Sequence, residues 1–201
     1  MQAFRWLAAL FLFAIAACAP LRAQEQLKFF AGYSYLRPSL TYDQTSACTL
    51  SCSPVPDRVT THPNLNGYEF SATFKILPFL GLTADFSGHY GTATGSSSGH
   101  VQNYLFGPEL AFPAKVSPFV HVLAGVGHQA VGSGNSTSGG VPVNVLPSSD
   151  TAFATAVGVG IDLHIAPFLS FRAIQMDYLV TRFRSSTQGQ PRASTGIVLR
   201  F

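Results

Sequence analysis

The sequence predicts an all-β protein: an eight-stranded antiparallel transmembrane β-barrel of up-and-down topology that follows a cleaved N-terminal signal peptide. Three observations predict this fold class. Apolar and polar residues alternate in short segments, a Pro-Phe pair recurs between those segments, and most charges within them share one face. Together these features are typical of a chain that crosses a membrane with strands.

The composition excludes several classes of protein. Only 10% of the residues are charged, against about 25% in a typical soluble domain. The chain has 12 basic and 9 acidic residues, and two of the basic ones, Arg5 and Arg22, lie in the leader, so the mature part is nearly neutral. A nucleic-acid-binding protein would show a basic face. We therefore expect no nucleic-acid partner.

The leader comprises residues 1–23. A basic residue precedes an apolar run, and the small residue Ala23 precedes a polar stretch, which is the pattern of a secretion signal. The apolar run is shorter than the roughly 20 residues that a spanning helix needs. We expect cleavage after Ala23, which leaves residues 24–201 as the barrel domain. The stretch "IAAC" resembles a lipobox, so lipidation of Cys18 is the alternative.

Alternation with a period of two is clearest in "YEFSATFKI", where Tyr68, Phe70 and Phe74 share one face and Glu69 and Lys75 the other. Alternation alone does not separate a membrane barrel from a soluble sandwich. The eight strands are predicted at 27–36, 65–77, 80–90, 101–112, 119–131, 152–164, 168–182 and 193–201.

The segments "ILPFLGL", "VSPFVHV" and "IAPFLSF" form an internal repeat, with Pro-Phe at 78–79, 118–119 and 167–168. Each pair is predicted to be a short turn with proline at the start of the next strand. Longer polar stretches such as "GTATGSSSG" separate these turns. Three short turns and four long loops require eight strands, with the short turns in the periplasm and the long loops outside.

Aromatic residues sort between the two ends of the predicted strands. Six tyrosines fall toward the loop ends, and five phenylalanines fall toward the turns: Tyr33, Tyr35, Tyr68, Tyr90, Tyr104 and Tyr178, against Phe79, Phe112, Phe119, Phe168 and Phe201. Amphipathic rings collect at membrane–water interfaces. A soluble sandwich gives no reason for this segregation.

The face opposite the apolar positions is predicted to line the barrel. It carries nearly every charge of the strands: Lys28, Glu69, Lys75, Asp85, Glu109, Asp162, Arg172, Asp177 and Arg200. Eight strands leave an interior that side chains fill, and an unpaired buried charge is strongly destabilising. We therefore predict a paired charge network inside the barrel and no wide channel.

One segment, "LSFRAIQMDYLVTRF", breaks the alternation. Ser170 and Arg172 are polar positions of one parity, but Gln175 and Asp177 are polar positions of the other. A regular strand would place either Arg172 or Asp177 against lipid, whereas one extra residue switches the facing. We predict a β-bulge near Ala173–Gln175. The alternative is a regular strand with Arg172 close enough to the rim to reach water.

Cys48 and Cys52 lie four positions apart in the longest predicted loop. An exported protein meets oxidising conditions, so we predict a local disulfide between them. The six histidines show neither H-x-x-x-H nor H-E-x-x-H spacing. No metal site, cofactor or catalytic residue is predicted.

The segments "FFAGYSYLR", "NYLFGPEL", "GVGIDLHIAPFLSFRAIQMDYLVTRF" and "GIVLRF" resemble the small outer-membrane β-barrel family of the outer membrane protein A transmembrane domain and its short relatives. The resemblance covers residues 27–201. It implies an integral outer-membrane protein in contact with outer-membrane lipid. It also implies that the barrel-assembly machinery reads Ile197, Leu199 and Phe201 as an assembly signal. Because the sequence stops at the barrel, we expect the peptidoglycan-binding domain of longer relatives to be absent.

The expected function is structural or interactive, with the extracellular loops of a monomeric barrel meeting an unidentified partner. A small porin-like pore is the first alternative. A lipid A-modifying enzyme is the second, because lipid A deacylases use a small barrel of this type. Such chemistry needs Ser, His and a carboxylate together near the outer rim, and Glu69 and Glu109 both have inward parity. We therefore expect no enzymatic activity.

Overall fold

The computed structural model describes residues 26–46, 57–138, 140–183 and 186–201. Twelve strands lie in these ranges: β1 Leu27–Leu36, β2 Leu40–Ser46, β3 Asp57–Thr61, β4 Leu65–Leu77, β5 Leu80–Thr94, β6 Ser97–Ala111, β7 Val116–Val131, β8 Gly134–Ser138, β9 Val141–Val145, β10 Ser148–Ala166, β11 Leu169–Phe183 and β12 Ser186–Arg200. Within the described ranges there is no helix with the length and apolar character needed to span a membrane.

Eight of these strands form a closed antiparallel barrel in the order β1-β12-β11-β10-β7-β6-β5-β4. The first strand closes it, because Lys28 pairs with Arg200 of β12 and Leu36 pairs with Leu65 of β4. A closed barrel has no free strand edge, so its backbone N–H and C=O groups find partners within the wall. The predicted eight-stranded fold class is confirmed.

The wall is apolar on the outside and largely polar on the inside. Phe70, Phe106, Val122 and Met176 point outward and are each about half exposed, at 49%, 56%, 56% and 56%. Their neighbours in sequence point inward and are mostly buried. A water-soluble protein of this size would not leave so continuous an apolar surface uncovered, whereas the hydrocarbon core of a bilayer covers it.

Strands β5 and β6 are longer than predicted and meet in a tight turn at Gly95 and Ser96. Gly95 has a φ of 52°, and a Cβ there would lie 2.1 Å from the carbonyl oxygen of Asn135. Only glycine fits such a position. The polar stretch "GTATGSSSG" lacks an apolar face, so the sequence predicts a loop there. Barrel strands that continue beyond the membrane need no apolar face, because water and not lipid surrounds them.

Two of the predicted loops contain strands that the sequence did not predict. The chain between β1 and β4 contributes β2 and β3, and the chain between β7 and β10 contributes β8 and β9. These strands form a second sheet in the order β3-β2-β9-β8, here called the loop sheet. Its Thr-, Ser- and Asn-rich strands resemble loops in composition, but pairing with one another satisfies their backbone groups.

The predicted turn at Pro118–Phe119 is wrong. The turn lies at residues 112–115, and both Pro118 and Phe119 belong to β7. Pro118 lies just beyond the last β6–β7 pair, Ala111–Phe119, where a proline is tolerated because no ladder hydrogen bond with β6 requires its missing N–H. Phe119 points inward and is 2% exposed, so it does not join the turn-side aromatic residues.

Candidate functional site

The lumen near the short turns contains two direct ion pairs. The Lys28 Nζ lies 2.5 Å from Glu109 Oε1, and Thr83 Oγ1 donates to the other oxygen of Glu109 at 3.2 Å. Arg172 donates to both oxygens of Asp162, from Nε at 2.8 Å and from Nη2 at 3.2 Å. Each buried charge therefore has an opposite charge on a neighbouring or facing strand.

Arg172 also lies between two phenylalanine rings. Its guanidinium carbon is 4.4 Å from the ring centre of Phe30 and 4.2 Å from that of Phe119. A guanidinium stacked on aromatic faces is stabilised by cation–π attraction. Phe30 and Phe119 thus replace water on the faces of Arg172, while Asp162 neutralises its edge.

The middle of the lumen is organised by Arg192 of β12. Its guanidinium contacts Asp177 at 2.7 Å, Asp85 at 3.0 Å and Glu69 at 3.4 Å, and its side chain is 0% exposed. It also donates to Ser87 Oγ at 2.9 Å. One cation therefore joins carboxylates from β4, β5 and β11. Together with Lys28, Glu109, Asp162 and Arg172, these four charged residues form the lumen ion network.

The side chains of Gln175, Ser194 and His121 complete the network. Gln175 Nε2 donates to Glu69 at 2.7 Å and to Asp177 at 2.8 Å. Ser194 Oγ donates to the second oxygen of Glu69 at 2.5 Å. The His121 Nε2 lies 2.8 Å from Asp177 Oδ1. These contacts satisfy carboxylate lone pairs that a single guanidinium could not reach, as a buried ionic cluster requires.

The sequence assigned nine residues to the interior, and the structure places seven of them inside the network: Lys28, Glu69, Asp85, Glu109, Asp162, Arg172 and Asp177. Lys75 and Arg200 lie instead at the turn end of the lumen, where they line an open cavity. Arg192 and His121 were not assigned. Arg192 shares its parity with Ser194, Gly196 and Arg200, so extending the eighth strand backward would have found it.

The predicted β-bulge is present in β11. Arg172 pairs with Gly196 and Gln175 with Ser194, so two residues of β11 lie opposite one of β12. On the other side, Asp162 pairs with Arg172 and Ile161 with Ile174, so Ala173 is passed over. Arg172 and Asp177 are consequently both buried in the lumen, at 2% and 4% exposure.

The half of the lumen near the loops differs in character from the half near the short turns. It holds an uncharged apolar cluster rather than a continuation of the charge network: Leu36, Leu40, Tyr42, Leu65, Ala93, Val101, Leu105, Leu123, Val131, Val145, Ala154, Ala156 and Leu179. The inward charges lie where partners from several strands are in reach. Apolar side chains, together with buried polar ones such as Asn103, Gln129 and Gln190, fill the rest.

The loop sheet covers this apolar cluster. Leu40 and Tyr42 of β2 and Val145 of β9 belong to the cluster, and Gln188 Nε2 of β12 donates to Thr41 Oγ1 at 3.2 Å. The loop sheet is also joined to the β5–β6 turn, where Ser96 N donates to Asn135 O at 3.0 Å. The loop end of the barrel is thus packed with side chains and capped by strands.

Comparison with known proteins defines the fold. Neisserial surface protein A aligns with a TM-score of 0.57 at 12% identity, over 88% of this chain and 97% of that protein. OprG from Pseudomonas aeruginosa gives 0.55 at 8% identity, over 89% and 96%. Ail, the attachment invasion locus protein of Yersinia pestis, gives 0.51 at 14% identity, over 88% and 99%.

The chain has the fold of the small outer-membrane β-barrels. Its apolar outer wall agrees with a place in the bacterial outer membrane, where the short turns face the periplasm and the loop sheet faces outward. No protein-family model and no curated protein sequence matches the chain. The likeness is therefore one of fold and not of sequence.

The C-terminal strand of this outer-membrane barrel places its apolar residues on the lipid side. Ile197, Leu199 and Phe201 are exposed by 54%, 40% and 66%. Phe201 contacts Phe29 edge-on, with ring centres 6.2 Å apart, and its backbone pairs with Leu27 in both directions. The three residues thus form one row on the outer wall near the periplasmic rim. Recognition of this row by the assembly machinery stays a prediction.

Aromatic side chains occupy both rims of the outer-membrane wall. Tyr33, Tyr90, Tyr104 and Tyr178 are 46–57% exposed on the loop half, and Phe79, Phe112 and Phe168 are exposed at the periplasmic turns. Apart from Phe119, the predicted segregation therefore holds.

Cys18, Cys48 and Cys52 lie outside the described residues, so the signal peptide, the lipidation alternative and the disulfide stay predictions.

Proposed function

We propose that this outer-membrane barrel is a surface-interaction protein that binds extracellular partners through the loop sheet. The observation that carries the proposal is the loop sheet itself. Extracellular loops of a barrel with a purely structural role need no such order, because outside the membrane they can remain solvated. Here two loops from opposite parts of the sequence pair with one another instead.

The contact between the two loops supports a preformed binding surface. Gln44 of β2 pairs with Val145 of β9, and Ser46 pairs with Val143. Leu146 N donates to Asp43 O at 3.0 Å just beyond this pairing. A surface held by strand pairing keeps its shape before a partner arrives, so less entropy is lost on binding.

The packing of the lumen favours interaction over conduction. Arg192 and its three carboxylates lie across the lumen at mid-height, and the apolar cluster lies above them with buried side chains such as Gln129 and Gln190. An ion or polar solute would have to break buried ion pairs and then displace these packed side chains. Two proteins with this fold, Neisserial surface protein A and the attachment invasion locus protein, have names that refer to a surface and to attachment respectively, which agrees with the proposal.

The test replaces residues 134–145, which include β8 and β9, with a short Gly-Ser linker between β7 and β10. Cells that display the protein are assayed for adhesion to immobilised extracellular-matrix proteins and polysaccharides. We expect the replacement to abolish adhesion while unboiled gel mobility still reports a folded barrel. The control is Phe112→Ala, which alters an exposed side chain of a periplasmic turn and should leave adhesion unchanged.

Three results would contradict the proposal. Adhesion that is indifferent to the replacement would remove the loop sheet from the function. Stepwise single-channel conductance from the purified protein in a planar bilayer would favour the pore. We also propose that the barrel has no enzymatic activity, and hydrolysis of lipid A by the purified protein would contradict this part.

A further inference from the structure

We propose that His100 and His128 form a binding site for a divalent transition-metal ion of the Zn²⁺ and Cu²⁺ class on the outer wall of the barrel. His100 belongs to β6 and His128 to the neighbouring strand β7. Their imidazole ring centres lie 6.0 Å apart, with an angle of 40° between the ring planes. Imidazole nitrogen is a preferred ligand of both ions. Strand pairing thus brings together two metal-ligating side chains that are distant in the sequence.

The register of the strands places both rings on the same face of the wall. His128 lies opposite Gln102, and His100 lies opposite Ala130, so the two histidines are diagonal neighbours. Long side chains in such diagonal positions are within reach of each other. His100 also lies opposite Tyr90 of β5, which is 46% exposed on the outer wall. Both histidines are therefore on the outside of the barrel, at its loop end.

The spacing of the two rings suits the chelation of one ion. Two imidazoles that bind one tetrahedral Zn²⁺ through bonds of about 2.0–2.1 Å have ring centres about 5 Å apart. The rings of His100 and His128 are only slightly farther apart, so a small rotation about the side-chain bonds brings one nitrogen of each to the ion. Both side chains are partly exposed. Water can therefore occupy the coordination positions that the two imidazoles leave open.

A hydrogen bond orients His128 for this role. Its Nδ1 lies 2.7 Å from Oγ1 of Thr151 on β10, the residue opposite it in the register. When the proton on Nδ1 is donated to that oxygen, Nε2 carries the lone pair that a metal ion requires. On the other side, the ring of Tyr90 packs against His100 with ring centres 6.0 Å apart. Thr151 and Tyr90 are thus positioning residues of the site.

The donor set decides which ions fit. No third His, Cys, Asp or Glu side chain of the described residues completes a larger cluster, so the protein supplies two nitrogens and no carboxylate. Ca²⁺ and Mg²⁺ require oxygen ligands, and this site offers them none from a charged side chain. Cu²⁺ binds a given set of nitrogen ligands more tightly than Zn²⁺ does. We therefore expect Cu²⁺ to bind most tightly, Zn²⁺ less tightly, and Ca²⁺ not at all.

The test measures metal binding by the whole mature protein, folded in dodecyl maltoside micelles without a histidine tag and with its thiols alkylated. Isothermal titration calorimetry with ZnCl₂ should show saturable binding of one ion per chain, and CaCl₂ should not. His100→Asn and His128→Asn should each weaken Zn²⁺ binding at least about tenfold, because each leaves a single imidazole and removes the chelate. Both side chains point out of the wall, so the variants should keep the gel mobility of a folded barrel.

Bound Cu²⁺ identifies the ligands directly. Electron spin-echo spectroscopy should detect two imidazoles on Cu²⁺ in the wild type and one in each single variant. Two imidazoles on Cu²⁺ in His128→Asn would place the ion elsewhere and overturn the site.

The hydrogen bond from His128 is tested by two substitutions of Thr151. Thr151→Val keeps the shape of the side chain but removes the acceptor, and it should weaken Zn²⁺ binding about tenfold, as loss of such a supporting partner does. Thr151→Ser keeps the hydroxyl and should bind Zn²⁺ like the wild type. Equal affinities of the two variants would contradict the positioning role of Thr151.

His62→Asn is the matched control, because it removes an exposed histidine that lies outside the pair. Its affinity for Zn²⁺ should equal that of the wild type. Equal weakening in all three histidine variants would reduce the effect to nonspecific binding by surface histidines and overturn the site. Absence of saturable Zn²⁺ binding would overturn it as well, and would leave the contact between His100 and His128 as ring packing alone.

The metal site is independent of the proposed adhesion. Replacement of residues 134–145 removes part of the loop sheet but neither histidine, so the replaced protein should bind Zn²⁺ like the wild type. Failure of the adhesion experiment would therefore leave the metal site untouched, and failure of metal binding would leave adhesion untouched.

Discussion

Arg192 and Asp177 lie directly opposite each other on β12 and β11, and the guanidinium of one donates to the carboxylate of the other at 2.7 Å. The same guanidinium reaches Asp85 and Glu69 on the far wall. The pair therefore connects the last two strands of the chain to two early ones, β4 and β5, across the lumen.

Replacing Arg192 with methionine should lower the free energy of unfolding by about 3–5 kcal/mol, because removal of one partner leaves buried charges uncompensated. Urea unfolding in lipid vesicles, followed by circular dichroism, measures the change. Arg182→Met is the control, since Arg182 is exposed on β11, and it should shift stability by less than about 0.5 kcal/mol. Equal unfolding midpoints for the two variants would contradict the central role of Arg192.

Deletion of Ala173 removes the extra residue of the bulge. The strand must then turn either Arg172 or Asp177 toward lipid, and the cost of a basic residue there rises from about 0–1 kcal/mol near the rim to about 2–4 kcal/mol at the bilayer midplane. We expect a lower urea midpoint and a lower yield of folded protein. Ala173→Val keeps the length of β11 and should behave like the wild type. A deletion variant as stable as the Val variant would show that the bulge is dispensable.

Deletion of Phe201 should reduce the amount of protein assembled in the outer membrane, because the row formed with Ile197 and Leu199 is shortened. The purified variant should still refold in detergent, since the side chain of Phe201 is 66% exposed and contributes little packing. Immunoblots of outer-membrane fractions measure assembly. Phe112→Ala, an equally exposed aromatic of a periplasmic turn, should assemble normally. Undiminished assembly without Phe201 would refute the signal.

The folded protein should be a monomer. Each barrel strand pairs on both sides within the chain, so no barrel edge is available for pairing with a second copy. Unboiled samples should migrate differently from boiled samples on a denaturing gel, and sedimentation in density-matched detergent should give the mass of one chain. A stable dimer, or a helix-rich circular dichroism spectrum, would contradict this expectation.

The barrel wall could be predicted from the sequence because lipid requires apolar residues on one face of each strand and the lumen accepts polar residues on the other. Arg172 and Asp177 lie an odd number of positions apart, so a regular strand would expose one of them to lipid. This conflict predicted the position of the bulge. Outside the membrane that constraint ends. The loop sheet and the long ends of β5 and β6 therefore left no alternating pattern to recognise.

The lumen was predicted in part for a related reason. Parity shows that Glu69 or Asp85 points inward, but not which cation it meets, because that depends on the register of strands far apart in the sequence. Arg192 was missed because Pro191 and the polar residues before it were interpreted as a loop. In the structure Pro191 belongs to β12 and pairs with Tyr178 of β11. The next residue, Arg192, points into the lumen.

The position of Arg192 on the final strand links the chemistry of the lumen to the order in which the barrel is completed. In a wall of barrel strands that lacked β12, Glu69, Asp85 and Asp177 would face the same interior with no guanidinium between them. Their mutual repulsion would hold such a sheet open and hydrated. Arrival of β12 neutralises the three carboxylates and supplies the last row of wall hydrogen bonds at once. We therefore expect closure of the barrel and dehydration of its interior to be coupled.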